Sequence, residues 1–369
     1  MKNKTLYVLV LLALGVNSVV AFAHHSSTST FSADETISVD GVVTEFRFRN
    51  PHVLVYLDVT NADGSVTNWM SEGPSATSWK RSGWAPDSLK PGDILRVAGN
   101  STLDGSPMVW IDTMGLLDGS GGNVVAELKP GEDPAVALSG AEVADAEPVE
   151  SAEITFLSPT LSTGEPNFTG TTMNIRALSA RGGPDGDDAD MPYNAVGLAA
   201  LEAWDLENDP QVFCDPPGLV RQGGYTPYGQ IITQYPDHVV IEYEEYGSRR
   251  AIFFGDEIPK SGVRSHLGDS VARYENGSLI IETVNLLANA SGHRGRPLSD
   301  KIRVTEVLTR IDDPEYGTLL KTETTVVDPE FLTEPWTISR TKLYSEDYEF
   351  IENDCVPPLR ERPANVWQE

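Results

Sequence analysis

Cysteine occurs only twice in 369 residues, at Cys214 and Cys355. Two thiols 141 positions apart do not make a metal motif. Basic residues are also scarce, with 27 Lys and Arg against 55 Asp and Glu and a net charge of -28. A surface this acidic repels phosphate backbones, which argues against a nucleic-acid partner. Acidity of this kind suits a salty exterior, where counterions screen self-repulsion. Long apolar runs are missing after residue 20. The one run present, Leu6 to Val20, falls short of the roughly 20 apolar residues a membrane helix needs. No nucleophile elbow, P-loop, dinucleotide fingerprint or zinc-protease helix occurs, so no familiar hydrolase is in view.

What is present begins with an export signal. Lys2 and Lys4 precede the apolar run, and Ala21-Phe22-Ala23 fits a small-x-small cleavage site. The expectation is a soluble product, periplasmic or extracellular, cleaved near Ala23 and without a lipid anchor. Losing the two signal lysines takes the charge from -28 to about -30. In an oxidising compartment Cys214 and Cys355 can form a disulfide, adding roughly 4–5 kcal/mol on the chain-entropy model. Two free buried thiols are the alternative.

Residues 36 to 117 alternate apolar and polar as strands do. The order is three strands, a short helix over 75–81, then two strands, which is the order of an OB-type small barrel. Residues 118 to 190 are rich in Gly, Pro, Ala and acids and read as a linker, with "ITFLSP" and "TMNIRAL" lending short strands to a neighbour. A helix is expected over 194–205, with Leu198, Leu201 and Trp204 near one face. From 229 onward about eight strands follow, with Asn276-Gly277 as a type I′ hairpin signal. So many consecutive strands close into a barrel to remove their edges, and such a barrel can hold one small ligand. The predicted class is all-β: an OB-like five-stranded N-terminal barrel over 24–117 and an antiparallel lipocalin-like C-terminal barrel over 191–369, with few helices.

These residues carry two resemblances. Ala23-His24-His25-Ser26, Asn50-Pro51-His52-Val53, Trp69 with Glu72, and Gly83-Trp84 through Asp93 resemble a family of small secreted bacterial domains of unknown function. Cys214 to Gly218, Gly268 to Thr283, Val304 to Glu306 and Pro335-Trp336-Thr337 resemble a second uncharacterised secreted β-meander family, departing from it at Asp269, where its members often have histidine. Neither resemblance supplies an activity.

The candidate chemistry lies in the histidines. A cut after Ala23 makes His24 the N-terminus, and its free amine and Nδ1 close a chelate ring on one metal. His52 or His25 would complete an all-nitrogen set, which favours Cu(II). This resembles the histidine brace of exported copper proteins. A cut after Ala21 instead leaves His24 third in the chain, a position that also binds Cu(II) or Ni(II) through backbone nitrogens. The bland reading is an unstructured start and a satisfied loop histidine at His52, with zinc or a partner contact behind it.

Polar residues also gather in the C-terminal half: Arg264, His266, Asp269, Arg273, Glu282, His293, Asp300 and Glu306. If Glu282 or Glu306 points inward, it needs a partner such as His293 or an arginine, and an acid–histidine pair could do general acid–base work. The duller reading turns these carboxylates outward. The expected function is an exported binding protein with copper at His24, His25 and His52 and a small apolar ligand in the barrel. The rivals are an enzyme using Glu306, His293 and Asp269, and a scaffold contacting an envelope partner through the OB face.

Overall fold

The computed structural model describes residues 30–119, 122–130, 132, 134, 156–174, 191–204, 209–224, 228–259, 261–288 and 296–355. It is nearly all β, as the alternation implies.

The N-terminal unit contains β1 (Phe31–Arg47), β2 (Leu54–Thr60), β3 (Val66–Glu72), α1 (Ala76–Lys80), β4 (Ile94–Thr102), β5 (Met108–Leu117) and β6 (Val124–Leu128). The long β1 pairs antiparallel with both β2 and β4. A parallel pairing of β3 with β5, from Met70↔Met108 to Glu72↔Trp110, closes the first five strands on themselves. That closure gives the OB-like ring. Period-two alternation places Val55, Leu57, Leu95, Val97, Val109 and Ile111 inside. Trp79 of α1 and Trp84 fill one end, with ring centroids 4.4 Å apart. Gly99 sits where the β4–β5 register shifts. A Cβ there would lie 1.7 Å from the Trp110 carbonyl oxygen, so only glycine fits.

The second unit is a closed barrel of nine strands rather than eight. Its strands are β7 (Gly170–Met173), β8 (Gln230–Gln234), β9 (His238–Tyr243), β10 (Arg249–Phe254), β11 (Asp269–Glu275), β12 (Ser278–Val284), β13 (Arg303–Asp313), β14 (Gly317–Val327) and β15 (Trp336–Tyr344). Around the ring they run β10-β11-β12-β13-β14-β15-β7-β8-β9. The Asn276-Gly277 turn joins β11 to β12, both residues at positive φ as a type I′ turn demands. Two features depart from an antiparallel meander. β10 and β11 pair parallel, with Phe253 beside Val271 and Phe254 beside Ala272. The ninth strand, β7, wedges between β15 and β8.

β6 and β7 both come from the stretch read as linker. β6 extends the first sheet beyond β5. Leu157 N donates to Thr318 Oγ1, and Phe168 is fully buried in the barrel core, so the second unit begins before 160 rather than at 191. The helix near 195 forms as α2 (Ala195–Glu202), capped by Asn194. Its buried residue is Gly197, pressed against the Phe331 carbonyl and Tyr193, while Leu198 faces solvent. A short 3-10 turn (Pro210–Phe213) and α3 (Leu219–Gly224) precede β8. Among the described residues no helix is long and apolar enough to cross a membrane.

The two units are joined by buried polar contacts. Glu244, at the end of β9, is 2% exposed and accepts five hydrogen bonds. Asn50 Nδ2 (3.2 Å), Thr77 Oγ1 (2.9 Å) and Ile351 N (3.0 Å) reach its Oε1. Gly229 N (2.7 Å) and Tyr348 OH (2.5 Å) reach its Oε2. Asn50 also pairs with the segment after β15: its N–H donates to the Glu352 carbonyl and its carbonyl accepts from Asp354 N. Cys355, next along, is disulfide-bonded to Cys214.

Candidate metal centre and barrel interior

His52 sits on the loop between β1 and β2, two residues after the fully buried Asn50. The loop is fixed from below: Asn50 Oδ1 accepts from Thr77 N at 3.2 Å while Nδ2 reaches Glu244. His52 Nδ1 pairs with the carboxylate of Glu72, the last residue of β3. Glu72 lies beside Leu54 of β2 on one side and Trp110 of β5 on the other. The indole of Trp110 meets the His52 ring edge-on, centroids 5.5 Å apart at 74°. The same indole also contacts Phe31, the first residue of β1, at 5.8 Å. Val109 and Ile111 point into the core, so Trp110 between them faces outward. Trp110, His52 and Glu72 therefore lie together on the outer side of the ring, with the buried Phe31 against the same indole. The side chains of His52 and Glu72 are 22% and 18% exposed, so the cluster is held but not sealed.

His24 and His25 lie outside the described residues. Among the described residues no group of three or more His, Cys, Asp or Glu is arranged to hold a metal.

Residues 12–109 match a family of unknown function, DUF6152. No curated protein and no solved structure matches the chain. The DUF6152 match takes in His52 and Glu72 and ends one residue before Trp110. It does not reach the barrel, so the C-terminal resemblance stands without a match.

In the barrel, Glu306 does point inward, at 4% exposed, on the face it shares with Val304 and Leu308. Its partner is an arginine, Arg250 of β10, whose Nη2 donates to both carboxylate oxygens at 2.8 and 2.6 Å. The guanidinium also lies 5.8 Å from the Tyr243 ring. Burial pushes the Tyr243 hydroxyl well above its usual range. His293 lies outside the described residues. Asp269 is elsewhere: its Oδ2 accepts from Ser261 N, Ser261 Oγ and Asn285 Nδ2 at 3.1, 2.9 and 3.0 Å. It sits on the outward parity of β11, opposite to the inward Ala272, so it does not meet Glu306. Glu282 also faces outward and pairs with Arg273 at 2.8 Å and Arg303 at 3.5 Å. A surface cavity of about 350 Å³ does collect Arg264, Asp269 and Asp300, with Lys301 and Arg303. There Asp300 already binds Arg264 and Lys301, each at 2.9 Å. His266 is part-buried, and burial holds its imidazole below the usual range.

A second buried polar set escaped the sequence reading. Glu245 Oε1 accepts from Gln211 Nε2 at 2.7 Å, and Arg221 Nη1 donates to Asp209 at 2.9 Å. Burial raises the Glu245 carboxyl to about 8 and lowers the nearby Lys342 ammonium to about 8. Tyr246 beside them has φ 57°, a conformation a bulky residue takes only when its surroundings impose it. One signal was available for Arg250: in "RRAIFF" it shares parity with Ile252, hence the core face. Nothing in the local sequence marks Glu244 or Glu245 as buried.

Proposed function

We propose that this is an exported, periplasmic binding protein that holds Cu(II) between its processed N-terminal arm and His52. The observation that carries the reading is the shared contact of Phe31 and His52 with Trp110. It brings the end of the arm to the side of the fold that carries His52. Six positions separate His25 from Phe31, and an extended chain covers up to about 20 Å over that length. The rings are thus within reach of one another. Cleavage after Ala23 would supply the amine and Nδ1 of His24, and His52 would add a third nitrogen from a loop already fixed by Asn50. Such a nitrogen set suits Cu(II) better than other divalent ions. The barrel enters as the rigid body that anchors the loop through Glu244. Its interior, where a small apolar ligand was expected, carries the Arg250–Glu306 pair and favours packing over an apolar guest.

Mass spectrometry of the exported protein tests the reading directly. The expected product begins at His24 or Phe22 and takes up one Cu(II), with uptake weakened in His24→Ala and in His52→Ala. A product that retains its leader, or that takes up no copper, would falsify the proposal.

A further inference from the structure

We infer that the OB-like unit carries a site for a soft monovalent cation of the Cu(I) class, built from the thioethers of Met70 and Met108 and the imidazole of His52. All three residues belong to the folded unit, so the site does not draw on the N-terminal arm and shares only His52 with the reading above. Methionine sulfur is a different donor from the His, Cys, Asp and Glu groups considered so far.

The placement follows from the pairing that closes the ring. β3 and β5 run parallel, with Met70 beside Met108 and Glu72 beside Trp110. Ser71 is fully buried, Trp69 packs on the core, and Val109 and Ile111 are part of it. Alternation therefore turns Met70, Glu72, Met108 and Trp110 to the outer side. There they make two rows about 6–7 Å apart, the spacing of next-but-one residues along a strand. His52 touches both members of the second row: its ring meets the Trp110 indole at 5.5 Å, and it lies against the Glu72 carboxylate. The unbranched methionine side chains are long and pliable enough to cross from the first row to the second.

The residue type is scarce here. The chain has 6 methionines, and Met114 and Met191 fill the two cores. Met70 and Met108 belong to neither core and are only part-buried, side by side and one row from a histidine. Thioethers are neutral and soft, and they select Cu(I) over harder divalent ions, while imidazole accepts either. Trp110 adds an aromatic neighbour of the kind that attracts a cation. The net charge of -28 raises the local concentration of cations.

The test titrates the exported protein with Cu(I) under anaerobic conditions, in competition with bicinchoninate, and repeats the titration with Ag(I) as a redox-inert stand-in. The expected result is one Cu(I) per chain, with sulfur and nitrogen neighbours in its X-ray absorption spectrum. Met70→Leu and Met108→Leu nearly conserve side-chain volume, so urea midpoints should stay near that of the wild type. Each should weaken Cu(I) binding by about tenfold or more through loss of a soft ligand, and the double variant should lose more still. His52→Ala should weaken it as well. Cu(II) uptake should be unchanged in both methionine variants. No Cu(I) uptake by the wild type, a spectrum without sulfur, or an unchanged Cu(I) affinity in the double variant would overturn the site and leave the two methionines as packing residues. The Cu(II) reading has its own readout, the loss of uptake in His24→Ala, and that variant should still bind Cu(I). Either proposal can therefore fail without the other.

Discussion

Asn50 and Glu244 are 194 positions apart in the chain, yet the amide of one donates to the carboxylate of the other at 3.2 Å in a fully buried setting. The first residue belongs to the OB-like unit and the second to the barrel. The two units therefore meet through a carboxylate with a full set of donors.

Glu244→Ala should be among the most damaging single changes. It leaves the Tyr348 hydroxyl and the Gly229 and Ile351 amides without their acceptor inside the junction. Buried donors stripped of a partner cost about 1–3 kcal/mol each. Urea unfolding should show a loss of several kcal/mol, and Asn50→Ala should cost about 1–3 kcal/mol. An Asn50→Ala protein as stable as the wild type would mean that the joint does not depend on this contact.

Glu245 makes stability depend on pH. Its folded-state carboxyl is raised by burial to about 8, well above the usual carboxylate range. A raised acid favours the folded state while protonated. That contribution is fully present below the unfolded value and is lost as pH rises through about 8. Glu245→Gln removes the titration and keeps the shape. The stability advantage of wild type over Glu245→Gln should therefore shrink between pH 5 and 8, by urea midpoints. A difference that stays constant over that range would show that Glu245 does not titrate there.

Arg250 and Glu306 should behave as a coupled pair. Removing only one, as in Glu306→Leu, leaves a buried charge unpaired and should cost about 3–5 kcal/mol. The double variant Arg250→Met/Glu306→Leu should recover much of that loss. A double-mutant cycle with additive effects would contradict the pairing.

Cys214→Ser should lower stability by roughly 4–5 kcal/mol, since the bridge closes a loop with a sequence separation of 141. Wild type under strong reductant should match the variant. No difference between oxidised and reduced wild type would show that the bridge contributes little beyond what neighbouring contacts provide.

The strands were legible in the sequence wherever period-two alternation ran for several residues, as in β2, β4, β12 and β13. The Asn276-Gly277 hairpin was legible because its backbone demands those residues. β6 was not, because a strand of five residues owes its form to the edge it joins, and β7 was legible only in part, where "TMNIRAL" overlaps its end. The parallel closure of β10 on β11 is a tertiary pairing with no local signature. His52 could be picked out as a loop histidine. Its link to Phe31 through Trp110 is tertiary and could not. Glu306 was identified as an acid in need of a partner, but that partner lay 56 positions upstream on β10. Glu244 was missed altogether, since two of its donors, Asn50 and Tyr348, lie 194 and 104 positions away.

The segment from Tyr348 to Cys355 imposes an order on biogenesis. It supplies the phenol and the Ile351 amide to Glu244, pairs with Asn50 and ends in the bridge to Cys214. In a chain made from its amino end, the seat for Asn50 is still unfinished when the strands of the first unit have been made. Only when the last few dozen residues have emerged can the two halves lock, and the covalent clasp must then wait for an oxidant. A chain lacking Tyr348 to Cys355 would miss the phenol, the amide and the bridge that this segment gives the joint.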